Sequence, residues 1–299
     1  MSPKEFQIGP VRFIRGEKDG KYPACHSLYL EKAGVIIDPA SDRARLKAIR
    51  DHENVTMVWL SHWHEDHIGH LDLFEAYPLW MSAADVPPLT DLAIFFNWIG
   101  IDGPEGERLR AYWRPILEEQ FHYKPRKPAR TLSGGETIEL EDVTVEVVPS
   151  PGHSPGHLAF YFREPRILFI GDVDLTPFGP WYADRFSSIE ETISTVERLR
   201  KIPAKYWITG HGTGIFEHPP GQLWDDYLAV IQRREADLVN FLSVPRSMDA
   251  IINQSIIYGK AGKLKDFHIV GERGHMEKHL ERLIESGKVG VENGRYYKT

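Results

Sequence analysis

His62-Trp63-His64-Glu65-Asp66-His67 packs three imidazoles and an aspartate into six residues. A solvated histidine-rich loop is the bland reading of one histidine, but four ligand-type groups at this spacing point to a bound cation. Neutral imidazole and carboxylate oxygen are good ligands for zinc and related divalent ions. His62 and His64 are two apart, so in an extended segment they face the same side. Asp66 and His67 fall where the chain turns into a helix, and can face a second ion. Residues 55–60, Val-Thr-Met-Val-Trp-Leu, read as a buried strand whose end delivers this cluster into a loop. Residues 68–75 read as a short helix that follows it.

Three other segments repeat the pattern of a strand ending in a ligand. Pro151-Gly152-His153-Ser154-Pro155-Gly156-His157 places a histidine in a glycine- and proline-rich loop directly after a strand. Ile170-Gly171-Asp172 and Thr209-Gly210-His211-Gly212 do the same with a carboxylate and a histidine. Ligands offered from several strand ends make a rigid site on the edge of a sheet. The remaining histidines take plainer roles. His70 and His157 read as partners of ligands or helix-start residues, His26 as packing, and His218 as a bystander near the last ligand. Cys25 reads as a small buried apolar group.

Between these landmarks, residues 27–30 and 34–38 form a strand pair joined at Lys32-Ala33-Gly34, and residues 42–51 have helical spacing. Strand signals resume at 136–140, 143–148, 158–162, 167–170 and 206–209, with an amphipathic helix over 188–202. This order suits two packed sheets with helices outside. Residues 85–130 form a helical insertion containing the aromatic run Leu92 to Ile99 and a helix over 109–120. It serves either as a wall beside the site or only as a cap on the sheet. The texture changes after Pro220. Helices are expected over 222–242, 247–258 and 275–286, then a hairpin turning at Asn293-Gly294. The expected division is a first domain over 1–220 and a C-terminal domain over 221–299.

Composition removes several function classes. The net charge is −7, and 41% hydrophobic with 26% charged residues describes an ordinary globular chain. A single cysteine excludes an intramolecular disulfide. Residues 1–6 lack the basic and apolar regions of a secretory leader, and no apolar run approaches the roughly 18 residues of a membrane span. A cytoplasmic chain with no membrane partner is the expectation. Residues 222–299 carry twelve Lys/Arg against eleven Asp/Glu, no electrostatic footprint for RNA or DNA. Nucleic acid is therefore not the favoured partner, and a homodimer stays open.

The succession His62, His64, Asp66, His67, His153, Asp172, His211 resembles the signature of the metallo-β-lactamase superfamily, His-x-His-x-Asp-His followed by a distant histidine, an aspartate and a last histidine. The resemblance spans roughly residues 8–215. It implies an α/β fold, the αββα sandwich, and two divalent metal ions, zinc first, with iron or manganese accepted by the same ligands. By that resemblance His62, His64 and His153 hold one ion, Asp66, His67 and His211 the other, and Asp172 bridges them. Asp38 matches an early structural aspartate that supports the metal loop. The implied chemistry is attack by a metal-bridging hydroxide, with Asp66 and Asp172 as the catalytic carboxylates. The C-terminal helices and hairpin resemble the winged-helix end of the β-lactamase-like protein 2 group, known for single-strand endoribonuclease activity.

Phe95, Phe96 and Trp98, with residues 177–182, suggest an apolar aromatic pocket, which favours a small acyl substrate (thioester, ester or lactone) over a polyanion. Tyr182 is weighed as a general acid and preferred, with Trp181, as wall. The alternatives are an endoribonuclease or other phosphodiesterase, and an iron-dependent persulfide dioxygenase. A regulatory binding protein with a decayed site is a further rival, against which the complete ligand set argues.

Overall fold

The computed structural model describes residues 5–102, 106–259 and 266–299. The first sheet runs β1 (Glu5–Ile8), β2 (Val11–Ile14), β3 (Ser27–Leu30), β4 (Val35–Ile37), β5 (Met57–Trp59), β6 (Leu79–Ser82), β7 (Arg130–Leu132) in that spatial order. Pairing is antiparallel from β1 to β4 and parallel from β4 to β7. The second sheet has β8 (Thr137–Glu139), β9 (Thr144–Pro149), β10 (Leu158–Phe162), β11 (Ile167–Phe169), β12 (Tyr206–Ile208) and β13 (Ile215–Phe216), with one parallel pair, β11 on β12. Strands β1, β2, β6, β7 and β13 are additions to those expected from sequence.

Side-chain alternation decides what each sheet face meets. On β4, Val35 and Ile37 join Trp59 and Leu28 in a core shared with Val145, Phe160, Phe169 and Ile208 of the second sheet. Ile36, between them, points the other way, into a core with Leu46 and Ile49 of helix α2 (Arg43–His52). Across the sandwich, Ala159, Leu168 and Trp207 face outward onto Val196 and Leu199 of α7 (Ile189–Leu199). The layers are therefore helix, sheet, sheet, helix. Two short helices interrupt the first sheet, α1 (Glu17–Gly20), a single irregular turn after β2, and α3 (Glu65–Ile68), directly after the His62–His64 segment.

The insertion lies between β6 and β7 and contains α4 (Val86–Thr90), α5 (Leu92–Trp98) and α6 (Glu107–Pro115), packed on the outer face of the first sheet. Beyond β13 come α8 (Gln222–Phe241), α9 (Met248–Gln254), α10 (Asp266–Glu285) and the hairpin β14 (Val289–Glu292) and β15 (Arg295–Lys298). Asn293 and Gly294 both have positive φ, the conformation that a two-residue hairpin turn demands. Helix α8 is shared between two cores. Trp224 and Tyr227 pack with the second sheet, while Leu238, with Leu242 just past the helix end, packs with Ile251, Met276, Leu280 and Val289.

Several helix limits differ from the sequence expectation: the helix expected over 68–75 is replaced by α3 and a separate 3-10 turn over Leu71–Phe74, and α7 ends at Leu199 rather than 202. α9 stops at Gln254 because Ser255 turns into the left-handed region at φ 56°, and the next amides, Ile256 and Ile257, donate to the Glu272 carboxylate instead. α10 begins at Asp266 rather than His275. Among the described residues no helix is long and apolar enough to cross a membrane.

Candidate metal centre

The seven ligand-type residues singled out in the sequence converge at one end of the sandwich. His62 and His64 follow β5, and Asp66 and His67 lie on α3; His153, Asp172 and His211 follow β9, β11 and β12. Each sheet thus contributes about half of the cluster. His153 Nε2 lies 3.1 Å from His62 Nε2 and 2.8 Å from His64 Nδ1. Asp172 Oδ2 is 3.3 Å from His153 Nε2 and 3.9 Å from His62 Nε2. The other oxygen, Oδ1, faces a second group: 2.8 Å from His67 Nε2 and 3.4 Å from His211 Nε2, with Asp66 Oδ2 3.5 Å from His211 Nε2. His62, His64, His153 and Asp172 form one set of convergent donors, and Asp66, His67 and His211 another.

Each imidazole spends its outward nitrogen on a fixed partner. His62 Nδ1 meets Ser61 Oγ at 2.9 Å, and His64 Nε2 meets the Asp184 carboxylate at 2.7 Å. His67 Nδ1 meets Asp38 Oδ2 at 2.9 Å. His153 Nδ1 meets the Trp181 carbonyl at 3.2 Å and His211 Nδ1 the Gly20 carbonyl at 2.6 Å. A carbonyl or carboxylate can only accept, so the imidazole facing it donates and, when neutral, turns a bare nitrogen inward. Bare nitrogens 2.8–3.1 Å apart repel unless a proton or a cation lies between them. Asp172 Oδ1 is likewise buried without a hydrogen-bond partner among the described residues. The donor set fits a metal, with second nitrogens anchored as ligating histidines require.

Titration directions agree with that reading. Burial opposes charge on His64, yet the adjacent Asp184 carboxylate outweighs it and lifts His64 to about 9. His211 is likewise opposed by burial and raised to about 9 by Asp172. Burial and the neighbouring imidazoles instead hold His62 and His153 well below the usual range. Burial alone would raise Asp172, but His67, His211, His62 and His153 together hold it far below an ordinary carboxylate. Protons take a cation's place in such a cluster, and metal binding releases them.

Asp38 carries more than its place after β4 suggests. At φ 50° it accepts from Ser61 N–H at 2.7 Å and Ser61 Oγ at 2.6 Å, besides His67. Through Ser61 it also fixes His62. His157 accepts the Asp172 amide at 3.1 Å and is a ligand's partner, as expected. His26 is buried; Gly16 N–H donates to its Nδ1 and its Nε2 lies 3.3 Å from the Gly212 carbonyl. His218 is exposed, and His70 packs beside Arg43.

Sequence reasoning misses two carboxylates. Asp184 orients His64. Asp85, fully buried, accepts from Ser154 Oγ at 2.6 Å and Gly156 N–H at 2.7 Å, bracing the loop that carries His153. A side chain at Gly156 would strike that carboxyl.

A cavity of about 590 Å³ opens on the centre. Its walls include Phe95, Trp113, Phe178, Trp181, Tyr258 and Val270, so the insertion and the C-terminal helices both contribute. Three expectations need correction. Phe96 and Trp98 do not line this cavity; both are buried in the core under the insertion, where Trp98 meets Trp63 and Phe186. Tyr182 is neither wall nor acid: it is fully buried and turned away, toward His279 and Arg234.

Known proteins place the chain in context. A hydroxyacylglutathione hydrolase from Hyphomonas neptunium is 25% identical over 193 residues, 61% of this chain and 61% of that protein. An acyl-coenzyme A thioesterase from Bos taurus is 28% identical over 176 residues, 57% of each chain. The matched regions thus span under two thirds of either relative's length. A metallo-beta-lactamase family protein from Thermus thermophilus superposes with a TM-score of 0.72 at 21% identity, over 97% of this chain and 99% of that one, a likeness of fold that extends through the C-terminal helices. The family model for the metallo-beta-lactamase superfamily matches residues 24–211, more than half of the chain and all seven convergent side chains. The chain belongs to the metallo-beta-lactamase superfamily.

Proposed function

We propose that the chain is a two-metal hydrolase of acyl thioesters, with esters and lactones as chemically neighbouring substrates. The observation that carries this reading is the aromatic cavity on the metal centre. A volume of about 590 Å³ lies within the range of small-molecule sites. Lys21 is the one Lys or Arg among the described lining residues, whereas Glu65, Asp66, Asp174 and Asp184 all border the space. An acyl chain suits such walls, and a polyanionic backbone does not. Two of the relatives, the hydroxyacylglutathione hydrolase and the acyl-coenzyme A thioesterase, support the same class.

His62, His64 and His153 would hold one ion, Asp66, His67 and His211 the other, and Asp172 would offer one oxygen to each. Zinc is the ion this nitrogen-rich donor set suits first, with iron or manganese as substitutes. When bound, the pair supplies a water acidic enough to attack near neutral pH and a positive charge for the carbonyl oxygen. The protein does the rest. Asp38, Ser61, Asp184 and the Gly20 and Trp181 carbonyls fix the imidazole tautomers. Asp66, bordering the cavity, is the carboxylate placed to orient the attacking water and take its proton. Phe95, Trp113 and Trp181 hold the acyl group and exclude bulk water. A thiolate, whose parent thiol has a pKa near ~8.5, leaves without a proton donor, so no tyrosine is required in that role.

Metal quantification followed by assays on acyl-coenzyme A, acylglutathione, lactones, phosphodiesters and single-stranded RNA tests this. The expected result is about two ions per chain, thioester hydrolysis lost on chelation, and loss of both metal and activity in Asp172→Asn. Cleavage of RNA without thioester hydrolysis, or one iron with oxygen uptake on a persulfide, would overturn it.

A further inference from the structure

The loop over residues 178–184 faces two ways. Toward the centre, Asp184 anchors His64, the Trp181 carbonyl anchors His153, and Phe178 and Trp181 line the cavity. Away from it, the same loop is gripped by α8 and α10. Arg234 of α8 is 4% exposed. Its Nη1 donates to the Pro180 carbonyl at 2.8 Å and to Tyr182 Oη at 2.9 Å, and its Nη2 to the Phe178 carbonyl at 2.8 Å. The guanidinium carbon also lies 5.1 Å and 5.4 Å from the ring centres of Phe178 and Tyr182. The Tyr182 hydroxyl is left to pair with His279 Nε2 at 2.9 Å, and the Tyr182 amide points to His275 Nε2 at 3.4 Å.

Three glycines permit this approach. A side chain on Gly179 would strike Val230 of α8, one on Gly274 would strike the Ala183 carbonyl, and one on Gly271 would strike Trp181 and the Tyr258 hydroxyl. Gly271 and Gly274 both sit inside α10, where each costs the helix about 1 kcal/mol relative to alanine. Close contact with the loop is what that cost obtains.

Arg234 has no carboxylate partner among the described residues. Burying an unpaired cation is expensive, and what this one secures is geometry: a planar fork pinned to two carbonyls and a hydroxyl. We propose that Arg234 is a positioning residue for the metal centre. It fixes residues 178–184, and through them the outward partners of His64 and His153, so that the C-terminal helices are a working part of the site. This rests on the two-metal reading above.

The test uses the full-length zinc-loaded protein and compares wild type with Arg234→Lys, Asp184→Asn, the double variant, and Leu283→Ala. Leu283 belongs to the C-terminal core and makes no part of the loop's contacts. Zinc affinity is measured by chelator competition, and kcat and KM with an acyl thioester, all below the melting temperature. Arg234→Lys keeps the charge but loses the fork, and is expected to weaken zinc binding roughly 10–100-fold with kcat falling more than KM rises. Leu283→Ala is expected to lower Tm while keeping wild-type zinc affinity. The double variant is expected to lose less than the product of the single losses, as for residues acting along one path. Folded Arg234→Lys with wild-type zinc affinity, a loss no greater than that of Leu283→Ala, or multiplicative losses in the double variant would each overturn the inference. A wild-type chain that binds none of zinc, iron or manganese overturns this and the functional reading together. Zinc binding without thioester hydrolysis overturns only the functional reading, because the chelator comparison still decides the role of Arg234.

Discussion

Replacing Asp38 by asparagine isolates one carboxylate on which both halves of the centre depend. Asparagine tolerates the left-handed φ of 50° found here, so the backbone gains no strain. What changes is hydrogen bonding. The carboxylate accepts three bonds, from Ser61 N–H, Ser61 Oγ and His67 Nδ1, at 2.7, 2.6 and 2.9 Å. An amide offers one oxygen and one NH2. With its oxygen toward Ser61 N–H, the NH2 faces His67 and reverses the Ser61 hydroxyl, which drives the proton of His62 to the inward nitrogen. Turned over, the NH2 opposes a buried backbone N–H. The turned-over amide leaves the buried Ser61 N–H unpaired, and the first orientation exchanges the charge-assisted bonds to Ser61 and His67 for neutral ones, either at about 1–3 kcal/mol. A loss of about 1–3 kcal/mol in the metal-free protein is expected, read from urea unfolding with chelator present. Metal affinity is expected to fall roughly 10–100-fold, read by competition titration. Unfolding within about 0.5 kcal/mol of wild type, together with unchanged metal retention, would refute the account of Asp38 as common anchor.

Other perturbations separate wall from core. Phe95→Ala should raise KM for an acyl thioester, because Phe95 borders the cavity. Trp98→Ala should instead cost about 3–5 kcal/mol of stability and leave KM near wild type; equal kinetic effects of the two would contradict the assignment. Burial lifts Asp85 to about 7, above its unfolded value near ~3.9, so the folded chain binds its proton more tightly than the unfolded chain. That contribution is complete below the unfolded pKa and is lost as pH rises through the folded one. Asp85→Asn cannot ionise, so wild type should lose stability relative to this variant between about pH 4 and about pH 7. Urea midpoints of the two metal-free proteins that stay parallel across that window would show the shift to be absent.

The ligands were legible because the chemistry requires particular residue types, and strand ends place them beside recognisable apolar runs. Val55 to Leu60 and Ile167 to Ile170 announce their strands, and His62 and Asp172 follow at once. Apart from Asp38, the anchors were not legible. Two of the five outward partners, at Gly20 and Trp181, are backbone carbonyls, which leave no trace in residue identity. Asp184 and Asp85 are carboxylates with no motif around them, and only the folded loops bring them to His64 and to the His153 loop. The early start of α10 was hidden by Gly271 and Gly274, which lower helical propensity just where the helix presses on its neighbour. For the aromatic insertion, periodicity shows that Phe95, Phe96 and Trp98 are apolar. Which of them meets the cavity depends on the helix's rotation, and only Phe95 does.

The division of the cluster between the two sheets has a mechanical consequence. His62, His64, Asp66 and His67 leave the first sheet, and His153, Asp172 and His211 leave the second. Any ion held by both sets is a rivet through the sandwich, on the same interface that buries Trp59 against Phe160 at 5.5 Å between ring centres. Pulling the sheets apart must break ligation at one end before the apolar interface can flood. Unfolding of a metal-loaded chain would then have to break ligation first, so its lifetime would depend on how fast that ligation is lost as well as on equilibrium stability.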